Sequence, residues 1–175
     1  MGHIVRPLEL ATLVLIVNTW GTQPRLVRGE LEAALPSGRE VITDPALQGL
    51  SKDQLVALAD TLYPVFDGHD DERATLVNDL LARSGVRPHL AQDRGLQGVW
   101  SVPDPRVGAL AATAVGLWIH LGDGAGDRLG TCADRACGDA WVDTSPGGHR
   151  RFCSITCQNR ARAAAYRRRH RTTNP

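Results

Sequence analysis

The chain has 175 residues, 42% of them apolar and 22% charged, a composition that excludes a disordered tail protein, a collagen-like fibre and a disulfide-stapled toxin. Its formal net charge of +1 speaks against a nucleic-acid binder only until the charges are counted by segment. Residues 1–127 carry ten basic against sixteen acidic side chains, whereas residues 128–175 carry ten arginines against Asp134, Asp139 and Asp143, so the sums are −6 and +7.

The apolar run over residues 8–18 predicts a buried helix, with a central strand as the alternative for so short a run. Turn chemistry at Gly21, Pro24, Pro36, Gly38 and Pro45 then predicts loop over most of residues 20–50. Ser51 and Gln54 form a capping-box pattern with Leu50 and Leu55 as its hydrophobic staple, and Leu55, Leu58, Leu62, Val65 and Phe66 follow at helical spacing. A third helix is expected from a cap at Asp70 or Asp71, with Leu76, Val77, Leu80 and Leu81 on one face and a stop at Gly85.

Residues 89–92 and 96–102 read as strands joined by a turn at Asp93, Arg94 and Gly95. Asp104 and Pro105 open a fourth helix that points Val107, Leu110, Ala111, Ala114, Val115, Trp118 and Leu121 at the core. The glycines of residues 122–126 mark a boundary between a helical domain, 1–126, and a small module, 127–175. In the first domain His3, His69, His89 and His120 read as structural or solvated residues. No nucleophile–base pair or phosphate loop is present, so an enzyme is not expected.

The run after Arg6 lacks a small-residue cleavage site, and the uncharged stretch 107–121 falls short of the roughly 20 residues that span a bilayer, which gives the expectation of a cytoplasmic protein without a membrane partner. In a reducing compartment, Cys132, Cys137, Cys153 and Cys157 are expected to bind metal rather than pair as disulfides. Four thiolates suit one tetrahedral structural zinc and leave no open position for catalysis. Residues 132–137 form a knuckle, residues 140–142 and 150–152 read as a hairpin around a turn at 143–148, and a helix follows whose start supplies Cys153 and Cys157. The expected architecture is therefore mainly α: a helical domain with a short β-hairpin, then a treble-clef-like finger of knuckle, hairpin and helix.

Arg150, Arg151, Arg160, Arg162, Arg167, Arg168, Arg169 and Arg171 all lie on this module, and no acid occurs from Pro146 onward. That clustering predicts a surface for DNA phosphates rather than a solvated helix end. One small module offers little contact area, which points to a homodimer or larger assembly on duplex DNA. The competing functions are a protein-interaction adaptor of the transcription machinery and a nuclease built on His149, Asn159 and His170.

At these residues the chain resembles the bacterial CGNR zinc-finger family, in which an all-helical domain of the ABATE type precedes the finger. The resemblance runs through Arg128 and Leu129, Cys132 and Cys137, Trp141 to Asp143 with Ser145, Arg150 to Ser154, and Cys157 to Arg160; in the first half it rests on residues 13–17 leading into Asn18 and Thr19. Gln158 stands at the family's glycine, so the tetrad reads CQNR. The resemblance implies a DNA-binding transcription regulator whose N-terminal domain senses a small effector or binds a protein partner. It leaves Asn159 and Arg160 as either braces of the finger or readers of bases.

Overall fold

A computed structural model describes residues 2–92 and 95–171. The fold is mainly α, with 54% of the chain helical. Helix α1, Leu10–Trp20, runs through the middle and buries Leu13, Ile16, Val17 and Trp20 completely. Against it packs α4, Lys52–Asp67, through Leu55, Leu58, Ala59, Leu62, Val65 and Phe66, the apolar face expected from the sequence. Its capping box is present: the Gln54 N–H donates to Ser51 Oγ at 3.2 Å and the Ser51 N–H to Gln54 Oε1 at 2.9 Å.

The stretch expected to be loop contains two helices, α2 at Thr22–Arg28 and the single turn α3 at Gly38–Val41. The start of α2 is supplied from α4, where the Asp60 carboxylate accepts from both the N–H and the hydroxyl of Thr22 at 2.6 Å. Its end is supplied by the buried Arg25, whose guanidinium donates to the carbonyls of Glu30, Leu31 and Ala33 at 2.8, 3.0 and 2.8 Å. Both devices join residues remote from the local turn signals, and they override them.

Helix α5 covers Asp70–Ser84. The residue before its first turn is His69, and neither Asp70 nor Asp71 is the cap; the Glu72 carboxylate accepts the His69 N–H at 3.1 Å while Asp70, Asp71 and Glu72 all face the positive helix end. Strands β2, Arg87–Gln92, and β3, Leu96–Val102, form the expected hairpin, and the expected turn at Asp93 and Arg94 lies outside the described residues. A third strand, β1 at His3–Val5, pairs antiparallel with β3, giving the order β1-β3-β2.

Asp104 caps a single 3-10 turn at Pro105–Val107, and α6 follows at Gly108–Gly122. Ala109 and residues 111–117 are buried, and the chain entering α1 crosses them, with the Leu8 N–H donating to Ala112 O at 3.0 Å. A Cβ on Gly116 would stand 2.3 Å from the Leu8 carbonyl oxygen, so only glycine admits this crossing. Trp118 in the last turns of α6 is 47% exposed and edge-on to Trp100 of β3 at 5.5 Å rather than in the core. No helix among the described residues is long and apolar enough to cross a membrane.

Candidate metal centre and the basic helix beside it

Strands β4, Leu129–Thr131, and β5, Ala140–Val142, pair antiparallel with Leu129 opposite Val142, Gly130 opposite Trp141 and Thr131 opposite Ala140. The hairpin thus encloses the first cysteine pair, and the expected pairing of 140–142 with 150–152 does not form. Gly130 permits this register because the Trp141 ring lies on it: a Cβ there would sit 2.4 Å from the ring. The indole N–H then donates to the Thr131 carbonyl at 2.9 Å. Residues 150–152 return as a connection held by Asp143, whose carboxylate accepts from the Ser145 hydroxyl at 2.6 Å, the Ser145 N–H at 2.9 Å and the Arg150 N–H at 2.9 Å. The Ser145 hydroxyl foremost, with the two N–H groups, holds that carboxyl down at about 2.

The four sulfurs come together from both ends of this module. Cys132 and Cys137 bracket the knuckle, whose turn is closed by the Cys137 N–H on Asp134 O at 3.0 Å. Cys153 precedes helix α7, Ile155–Arg171, and Cys157 lies in its first turn. Their ligand atoms all lie within 4.8 Å of one another. Cys137 Sγ is 3.4 Å and Cys157 Sγ 3.5 Å from Cys153 Sγ, near the ~3.8 Å edge of a tetrahedron with Zn–S bonds of about 2.3 Å. The cysteines are thiols without disulfides. Four sulfurs with no other donor fit one structural zinc.

Burial pushes the Cys137 thiol up, and the Cys153 thiol up to about 12, so these two resist losing their protons until a cation is present. Burial also opposes ionisation of Cys157, but hydrogen bonds from Ser154 and the neighbouring cysteines outweigh it and leave that thiol lowered. Two donors address the sulfurs directly: the Cys153 N–H reaches Cys132 Sγ at 3.4 Å and the Arg160 guanidinium reaches Cys157 Sγ at 3.3 Å. Both offset the negative charge that four thiolates accumulate.

The basic side chains fall into two groups. Arg160 turns inward, pairing with the buried Asp134 as well as with Cys157 Sγ, so it braces the finger. Arg150 is held by the carbonyls of Val142 at 2.9 Å, Phe152 at 3.0 Å and Cys153. Arg151, Arg162, Arg167, Arg168 and Arg169 are exposed, and the side chain of Arg171 lies outside the described residues. Among the described residues, the side chains of Arg151, Arg162 and Arg167 make no hydrogen bond or ion pair. The three acids of residues 128–175 are all engaged: Asp134 with Arg160, Asp143 within its turn, and Asp139 with Arg28 of α2.

The module is also anchored to the helices by contacts that sequence reasoning passed over. Asn18 of α1 behaves like a neighbouring strand, its side-chain amide accepting from the Ala140 N–H at 2.7 Å and donating to the Ala140 carbonyl at 3.0 Å. Arg73 is buried and donates to the carbonyls of Val65 at 2.8 Å, Gly126 at 2.9 Å and Leu129 at 3.1 Å. Leu129 and Ala140 belong to the same apolar core as α1 and α4. Asn18 and Leu129 were marked in the sequence by the family resemblance and Ala140 by its strand pattern, whereas Arg73 carried no sequence signal.

Residues 128–170 match the family model of the CGNR zinc finger. No curated protein matches the chain. The matched segment holds all four cysteines and α7 up to His170, and residues 128–170 are thus a zinc-binding finger.

Proposed function

We propose that the chain is a DNA-binding transcription regulator without enzymatic activity, in which the zinc-stapled module docks duplex DNA and the helical segment receives a signal. The observation that carries this reading is the unanswered charge of Arg151 beside α7 and of Arg162 and Arg167 on it. Every acid of the module has its partner within the finger or on α2, so none answers Arg162 and Arg167, and a surface with that much unanswered positive charge suits a polyanion.

For the signal, the cleft between α1 and the finger, which runs into the metal site at Cys137, Cys153 and Cys157, is the place where a small effector would touch both segments. Leu10, Ala11 and Val14 form its apolar side, and His120 contributes a ring whose buried Nε2 has no hydrogen-bond partner.

The test is the salt dependence of binding to duplex DNA. Each phosphate neutralised should add about −0.9 to the log–log slope, and Arg162→Ala and Arg167→Ala should each flatten it by about that amount while the zinc content stays constant. A flat slope for the native chain, with recovery of a protein partner and no nucleic acid, would establish the adaptor reading instead.

A further inference from the structure

Helix α7 has two working faces. Cys157 and Arg160 point at the sulfur cluster and Asp134, whereas Ile155, Gln158, Arg162 and Ala165 lie about a third of a turn away on the wall of a second groove. This groove, about 650 Å³, runs between the helix and the connection carrying His149, Arg151 and Phe152. Arg151 and Arg162 give it cationic sides, and no Asp or Glu lines it. Gln158 sits half-buried in its wall, and among the described residues its amide has no hydrogen-bond partner.

The amide atoms of Gln158 reach solvent, so they can meet a ligand without first giving up a hydrogen bond within the protein. The glutamine amide places one acceptor beside one donor, the pattern that pairs with N6 and N7 of adenine in the major groove. One helical turn before it, Ile155 is 67% exposed at the helix start and offers an apolar contact suited to the thymine methyl of the same base pair. Ala161 and Ala165 keep the rest of that face low, so side-chain bulk does not hold the duplex away. The first turn of a recognition helix is also where base edges are met in helix-in-groove docking.

We propose that Gln158 reads one A·T base pair, with its amide on the adenine edge and Ile155 against the thymine methyl, while Arg151 and Arg162 hold the flanking phosphates. The inference rests on the DNA-binding reading above and deepens it. It gives the CQNR tetrad a consequence: glycine at this position has no side chain with which to read a base.

The experiment is selection of bound sequences from randomised duplexes by the zinc-loaded full chain, run in parallel for the native protein, Gln158→Gly, Gln158→Ala and Arg151→Ala. The native chain should enrich one A·T pair within its site. Both Gln158 variants should lose roughly 10-fold to 100-fold of that discrimination with unchanged zinc content and unchanged salt slope. Arg151→Ala should keep the preference, bind all sequences more weakly and flatten the slope by about 0.9. The alanine variant guards against helix destabilisation by glycine. If both Gln158 variants keep the native preference, or the native chain binds DNA with no preference, this inference is overturned and the DNA-binding reading stands. If the native chain binds no duplex at all, both fall.

Discussion

Arginine does opposite work in the two halves of the molecule. In the acidic half, Arg25 and Arg73 are buried and each closes several backbone carbonyls, replacing regular structure where the chain turns. In the basic half, Arg150 closes carbonyls of the finger and Arg160 ties Asp134 to Cys157 Sγ, both from exposed positions, while Arg162 and Arg167 on the outer faces of α7 stand in water without a partner. The contrast shows that a count of arginines measures potential for phosphate binding only after the ones that serve as internal donors are subtracted. The finger is held in two ways: β4 and β5 share the apolar core of the helices through Leu129 and Ala140, whereas among the described residues the cysteine cluster has only Phe152 and Cys153 packed beside its three buried cysteines.

The largest effect should therefore come from removing the metal. Chelation, or Cys153→Ser, withdraws an interaction worth on the order of 10 kcal/mol in apparent binding free energy. Amide exchange should accelerate across residues 129–142 and α7 while α1 and α4 stay protected. Equal loss of protection in α1 would show that the helices depend on the metal as much as the finger does. Zinc uptake should also release protons, since the buried Cys137 and Cys153 thiols are held up and must ionise to bind; affinity should fall as pH is lowered, which titration in buffers of different ionisation enthalpy would detect.

Next in size is the contrast between internal and external arginines. Arg73→Ala leaves buried carbonyls of Val65 and Leu129 without their donor and should destabilise by about 3 kcal/mol, read as a lower denaturation midpoint. Arg162→Ala should change stability by no more than about 0.5 kcal/mol. Equal midpoints for the two variants would erase the distinction.

The smallest effect should be acid loosening of the 143–150 turn. The Asp143 carboxyl lies below its unfolded value, so its contribution is fully present above the unfolded value of roughly 4 and is lost as pH falls toward about 2. Amide exchange at Ser145 and Arg150 should rise over that window in the native chain and be high at every pH in Asp143→Asn.

Helices α1, α4 and α5 and the β2–β3 hairpin were legible because each carries its own period or cap. Helix α2 was not, since its start is made by Asp60, far along the chain, and local turn residues argued the other way. Strand β5 was legible but its partner was not. Both β4 and residues 150–152 satisfy a short strand pattern, and the choice fell to the Trp141 ring, which needs the bare Gly130 opposite it. Trp118 was misplaced because helical spacing assigns a face but does not say how far along the helix that face is covered.

The zinc site was readable from residue order alone, because ligand type and spacing are local and four clustered cysteines in a chain with little apolar material beside them admit few other uses. So were the opposite charges of the two halves. Which arginines remain on the surface, and that Asn18, Arg28 and Arg73 brace the finger to the helices, emerged only from the folded arrangement. A guanidinium is a long side chain that takes whichever acceptor the fold brings near. For Arg160 that acceptor is Asp134, 26 residues earlier, a pairing that no local pattern encodes.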